Sequence, residues 1–188
     1  MNVVVINANP KKNSFCHGLA SAYADGARNR GDDVTVITLS DLQYDPVLRT
    51  GFDKDDILEP DLKTVEDAIA WADHIVFVYP NWWGVMPAIL KGTLDRVLKP
   101  GFAFKFENGG VIPLLRGKTA SLFITMDVPI WVYRFIHHNR GAKLMRDNVL
   151  KFCGIKTRKI KYFGPIHSSS EKKRESWLGT ARALALTA

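Results

Sequence analysis

Asn2-Val3-Val4-Val5-Ile6-Asn7-Ala8 is a short, nearly continuous β-branched run, and His74-Ile75-Val76-Phe77-Val78-Tyr79 repeats the pattern further along the chain. Runs without polar alternation suit strands covered on both faces, as in a parallel sheet lying between helices. The intervening sequence agrees. Ser14 opens a helical stretch that ends near Gly31, and Val34-Thr35-Val36-Ile37-Thr38-Leu39 reads as a second strand. Residues 41–60 are rich in Asp, Gly and Pro and read as a long loop. From Asp61, the apolar positions Leu62, Val65, Ile69 and Ala72 fall on one helical face.

Pro80 halts the third strand, and Pro87 begins a helix at the position where proline is best tolerated. Met86, Ile89, Leu90, Thr93, Leu94, Val97 and Leu98 keep helical spacing until Pro100-Gly101 ends it. Thr119–Thr125 is a fourth strand. Met145, Val149, Phe152 and Cys153 line a helix that Gly154 can cap. Residues 156–163 make a fifth strand, and Ser168 with Glu171 resembles a capping box for a last helix through Leu186. Five strand–helix alternations with no internal repeat predict one domain over residues 1–188, an α/β doubly wound parallel sheet with helices on both faces. Such sheets bind ligands beyond the carboxyl ends of their strands, so the loops after strands one, three and four are the candidate site.

Composition excludes other classes. The 188 residues are 46% hydrophobic and 24% charged, ordinary for a globular domain. No apolar run reaches the roughly 18–20 residues that span a bilayer, and the first residues lack a basic leader region, so a cytoplasmic protein without membrane insertion is expected. Two cysteines, Cys16 and Cys153, make neither a disulfide framework nor a cysteine-rich metal site. His-Glu-x-x-His, Cys-x-x-Cys and Gly-x-Ser-x-Gly are all absent, which counts against zinc and hydrolytic chemistry. Gly117-Lys118-Thr119 resembles the end of a P-loop, but Ile112 stands where the first glycine belongs and a strand follows. Charge is uneven: residues 1–100 carry 10 Lys/Arg against 14 Asp/Glu, and residues 101–188 carry 16 against 5. That asymmetry fits an anionic small molecule or a solvated basic face. Aromatic–basic interleaving occurs only at Tyr162-Phe163, so no nucleic-acid partner is expected.

Two loops carry chemistry. Asn9-Pro10-Lys11-Lys12-Asn13-Ser14-Phe15-Cys16 leads from the first strand into a helix N-terminus, where free N–H groups, the helix dipole and the Ser14 hydroxyl can converge on an anion or merely cap the helix. Pro80-Asn81-Trp82-Trp83-Gly84-Val85-Met86-Pro87 places two tryptophans beside a permissive glycine, suited to stacking a flat ligand or packing on a second subunit.

These segments, with Ala88-Ile89-Leu90-Lys91-Gly92, Asp95-Arg96-Val97 and Gly101-Phe102-Ala103-Phe104, resemble the NAD(P)H:quinone oxidoreductase family over residues 1 to about 125. The resemblance implies a flavodoxin-like fold, strand order 2-1-3-4-5, and bound flavin, FMN or FAD, usually in a homodimer with its sites at the subunit interface. By position, Ser14, Phe15 and Cys16 would hold the flavin phosphate with Asn9 beside them. Pro80, Asn81, Trp82, Trp83, Gly84 and Val85 would line the ring, and Thr125, Met126 and Asp127 would contact its polar edge. The chain departs from the family at Asn9, where histidine is common, at Cys16, where asparagine is frequent, and at Thr125-Met126-Asp127-Val128, where two glycines are usual.

The activity implied is NAD(P)H oxidation through flavin to a quinone or similar flat acceptor by a ping-pong route. Tyr133 or His137 would stabilise the reduced ring or donate a proton, and Trp131 with Tyr133 would wall the acceptor pocket. The stretch 128–138 reads equally as a dimer contact or a core-covering helix. The basic second half favours NADPH. Cys16, at a helix N-terminus, is either an oxidisable thiol or a buried inert one. His17 and His167 read as surface residues. Two other functions fit the same residues: a non-catalytic, flavin-binding regulatory subunit of a transporter or other partner, and an FMN- or azo-reductase.

Overall fold

The computed structural model describes residues 1–52 and 57–187, so positions 53–56 of the expected loop, and residue 188 of the expected domain, lie outside it. The chain runs β1 (Asn2–Asn7), α1 (Phe15–Asn29), β2 (Asp33–Thr38), α2 (Pro60–Trp71), β3 (His74–Pro80), α3 (Ala88–Val97), β4 (Phe104–Glu107), β5 (Gly110–Pro113) and β6 (Thr119–Thr125). Then follow α4 (Ile130–Phe135), α5 (Arg140–Lys143), a π-helical segment Leu144–Leu150, α6 (Lys151–Cys153), β7 (Lys156–Phe163) and α7 (Glu171–Ala185). Five strands form one parallel sheet in the order β2-β1-β3-β6-β7. Counting only these parallel strands, it is the expected 2-1-3-4-5.

The β-branched runs explain the layering. Along β1 and β3, successive side chains go to opposite faces, and both faces are dry. Val3, Val5, Val76 and Val78 pack with Phe123 and Phe163 beneath α1 and α7. Val4, Ile6, Ile75, Phe77 and Tyr79 pack with Leu62, Val65, Leu90 and Leu94 of α2 and α3 on the other side. The edge strands β2 and β7 are more exposed, and β7 carries Lys156, Arg158 and Lys159 outward, charges that discourage edge-to-edge pairing.

Three local expectations need correction, and one of two alternatives is met. Pro87 is the N-cap of α3 rather than its first residue. The cap of α7 is Ser170, whose hydroxyl accepts from the Lys173 N–H, and not Ser168. Residues 104–113 form an antiparallel hairpin that the alternation of strands and helices did not suggest. Within 128–138 there is a short helix, α4, with Tyr133 in the core and Trp131 and Phe135 in solvent. Gly154 adopts the left-handed conformation expected of a cap.

The chain leaves β1 toward β2 on one side and returns to β3 on the other. The sheet order therefore reverses between β1 and β3, where their carboxyl ends open a crevice.

Candidate functional site

Two adjoining lobes of about 410 Å³ each lie at that crevice and share Asn81, Met126 and Asp127. The first is built by the β1–α1 loop. Asn9, 8% exposed, accepts from the Lys11 N–H through its side chain, a local turn that swings the chain across the strand end. Asn13 takes a left-handed φ of 54° and hands the chain to Ser14, the N-cap of α1. Ser14 makes no capping bond, and its buried Oγ has no partner among the described residues. A buried hydroxyl left unpaired beside the free N–H groups of a helix start is a place prepared for an acceptor. Lys11 lines the same lobe, as do Ile166, His167 and Arg174 from the far side of the sheet.

Those last three were absent from the sequence reading, which put His167 on the surface. It is exposed, but it also borders this lobe. The link is backbone: the Ile166 N–H donates to the Met126 carbonyl, and the His167 N–H donates to Asp127 Oδ1 at 2.6 Å. Arg174 donates to the Ile166 carbonyl and to Ser169 Oγ.

The second lobe is aromatic. Trp82 and Val85 exchange two backbone hydrogen bonds around a tight turn with Trp83 at φ 53° and Gly84 at φ 83°. Both central residues have the positive φ of a hairpin turn, natural for glycine and costly for tryptophan. The Trp83 side chain is fully exposed at 103%. Gly141 secures the turn from behind: a Cβ there would meet the Gly84 carbonyl. Tyr133 and His137 complete the lobe. Tyr133 is 1% exposed, its hydroxyl accepts from the Ala142 N–H at 3.1 Å, and burial raises its pKa, so it stays protonated near neutrality with its own hydrogen free to donate. Trp131 is 61% exposed and outside both lobes, so it does not wall the pocket.

Thr125 and Met126 form the floor, each 4% exposed. Their backbone is already committed, since the Thr125 carbonyl accepts from Asn81 and the Met126 N–H donates to Phe163. Asp127 is therefore the exposed polar residue of that loop. Cys16 is 1% exposed, and burial raises its pKa against the bonds from Thr125 and Asn9. Burial supports the inert-thiol reading over the oxidisable one. Phe15 packs against Trp177 at the lobe's edge, with ring centres 5.9 Å apart. Among the described residues no His, Cys, Asp or Glu cluster could hold a metal ion, and no helix is long and apolar enough to cross a membrane.

A five-stranded parallel sheet with an anion cradle and an aromatic lobe at its switch point defines an α/β protein of the flavodoxin-like class. The chain belongs to the family described as having a flavodoxin-like fold, which matches it over residues 1–185. It is 32% identical over 186 residues to an uncharacterized NAD(P)H oxidoreductase of Haemophilus influenzae, covering 96% of this chain and 92% of the relative. It is 28% identical over 197 residues to the human ribosyldihydronicotinamide dehydrogenase [quinone], covering 91% and 85% of the two chains. The solved NAD(P)H:quinone oxidoreductase from Methanothermobacter marburgensis superimposes with a TM-score of 0.84 at 22% identity, covering 99% of this chain and 98% of that one.

Proposed function

We propose that this chain is a flavin-dependent NAD(P)H oxidoreductase that passes two electrons to a quinone or similar flat acceptor, acting as a cytoplasmic, single-domain homodimer. The observation that carries the reading is the joining, in one cleft, of an unpartnered buried Ser14 hydroxyl at a helix start to an aromatic lobe headed by a fully exposed Trp83.

The residues present fit a flavin. Ser14, with the N–H groups of Phe15 and Cys16, would hold its phosphate, assisted by Lys11 and the loop shaped by Asn9. Pro80 through Val85 would line the ring, and Asp127 would accept from a ring N–H above the floor made by Thr125 and Met126. Bound flavin supplies the hydride chemistry. Trp83 offers an indole face on which a nicotinamide or a quinone can stack in turn. Tyr133 keeps its proton at the wall of the acceptor lobe, where exposed His137 also lies. Trp83 of this lobe is exposed, as are Trp131, Phe135 and Ile136 between its lining residues Tyr133 and His137 and just before them, and large exposed apolar side chains mark association surfaces. A second copy of the chain is the occupant that the family resemblance supplies.

The test is the visible absorbance spectrum of purified protein, followed by chromatography of the cofactor released on denaturation. A flavin spectrum bleached by NADPH or NADH and restored by benzoquinone supports the enzyme, and the released species distinguishes FMN from FAD. An azo dye in place of the quinone separates the azoreductase reading. Flavin that binds but is not reduced by either nicotinamide would favour the regulatory subunit. Failure to bind either added flavin would refute all three.

A further inference from the structure

A second cavity, of about 460 Å³, opens beside the edge strand β7 toward the amino ends of the strands. Lys156, Arg158 and Lys159 line it with Ser121, Thr157 and Thr187. On β6, Ser121 lies four residues before Thr125, which separates this cavity from the floor of the cleft by roughly 13 Å along the strand. It shares no lining residue with either lobe.

Side chains alternate along a regular strand, so consecutive residues do not all face one pocket, yet Lys156, Thr157, Arg158 and Lys159 all line this one. Here the register slips: Ala120 pairs with Thr157, but Ser121 pairs with Lys159, leaving Arg158 as the extra residue of a bulge. Bulges re-aim side chains, and this one brings Thr157, Arg158 and Lys159 to the same cavity. None of the three cations pairs with a described carboxylate, and no carboxylate lines the cavity among the described residues.

The lining is mixed: buried Phe123 and half-buried Leu184 lie beside hydroxyls that are partly unsatisfied. Thr157 Oγ1 is buried with no hydrogen-bond partner among the described residues. Ser121, 4% exposed, meets His74 Nε2 at 3.1 Å, and His74 Nδ1 meets Thr119 Oγ1 at 2.7 Å. The cavity thus combines uncommitted cations at its rim with hydroxyls at its base. A merely solvated basic edge would need no buried, orphaned hydroxyl beside it.

We propose that this cavity is a second ligand site that binds a multivalent oxyanion, a phosphate group, independently of the redox cleft. Arg158 and the two lysines supply charge-assisted bonds, and the Thr157 hydroxyl gains the acceptor it lacks. The phosphate can be free or carried by a nucleotide, so the titration has two arms, sodium pyrophosphate and ADP.

The experiment follows backbone amide resonances of the full-length protein at fixed ionic strength, with sodium chloride as the balancing salt. Saturable shifts at Ser121, Thr157, Lys159 and Thr187 are expected with pyrophosphate. Equal affinity for ADP assigns recognition to the phosphate alone, and tighter ADP binding adds a nucleoside contact; both support the site. The exposed pair Arg158→Gln/Lys159→Gln should weaken binding about tenfold or more while leaving the melting temperature and NAD(P)H oxidation unchanged. Thr157→Val, which keeps every charge, should weaken it about threefold or more. The proposal is overturned if chloride reproduces the shifts, if no shift saturates, if shifts appear only at residues 11–17, or if the double variant binds undiminished.

Discussion

Cys16 Sγ lies 3.2 Å from Thr125 Oγ1, so the first turn of α1 is joined to the last residue of β6 directly beneath the cleft. Burial raises the Cys16 thiol above its ordinary pKa, and burial pushes Cys153 up to about 11. The thiolate is the reactive form, so both cysteines should resist alkylation near neutral pH in the native protein. Mass spectrometry after iodoacetamide treatment should find neither modified natively and both modified in guanidinium. Rapid native labelling of Cys16 would contradict the burial argument.

Ser14 offers a clean separation of binding from stability. Its Oγ has no partner to lose, so Ser14→Ala should change unfolding free energy by less than about 0.5 kcal/mol. Flavin affinity should fall about tenfold, because a hydrogen bond to a charged phosphate is lost. Flavin fluorescence quenching gives the affinity and a thermal melt gives the stability. A variant that melts earlier but binds flavin normally would assign Ser14 to helix capping.

Trp83 holds a left-handed φ of 53° while burying none of its side chain. The backbone strain is about 1 kcal/mol with no packing in the monomer to offset it. Trp83→Gly should therefore keep its stability or gain up to about 1 kcal/mol, while KM for a quinone rises roughly tenfold through the lost stacking surface. Unchanged KM with clear destabilisation would mean that the indole serves packing instead.

Arg96 anchors the long loop between β2 and α2. It is 5% exposed, and it donates to the Asp45 carbonyl at 2.7 Å and to Glu59 at 2.8 Å. Removing Arg96 leaves the Asp45 carbonyl without its donor and half-buried Glu59 without its partner, so Arg96→Leu should cost about 2 kcal/mol in urea unfolding. A loss of less than about 1 kcal/mol would show that the pair is solvated and that Gly92 against Pro46 holds the loop instead.

The strands were legible because Val3, Val4, Val5 and Ile6 are all buried, two toward each helical layer, and only a doubly covered strand has that pattern. The hairpin escaped because its strands are four residues each and mostly exposed. Yet its turn was in view: Asn108 and Gly109 take positive φ of 51° and 74°, the conformation that an Asn-Gly pair favours. Ser168 has the capping-box spacing to Glu171, yet Ser169 and Ser170 compete with it and the helix uses Ser170. The cradle loop and the tryptophan turn were readable as local sequence. Ile166, His167 and Arg174 were not, because the bonds from Ile166 to Met126 and from His167 to Asp127, each forty residues apart in sequence, bring them to the cleft.

His74 supplies a prediction about acid stability. Its imidazole is fully buried, and burial, then the charges of Arg158 and Arg30, push its pKa from 6.5 down to about 4, with Asp32 opposing. Between those values the unfolded chain binds the proton and the folded chain does not, so stability falls as pH drops from 6.5 toward 4 and is fully present above 6.5. The effect is on the order of 3 kcal/mol at the acid end. His74→Asn keeps a polar partner for Thr119 and Ser121 but cannot titrate. Urea unfolding across that interval should therefore show a steep decline for the parent protein and a flatter one for the variant. Equal slopes would mean that the imidazole is reached by water and titrates as it does in the unfolded chain.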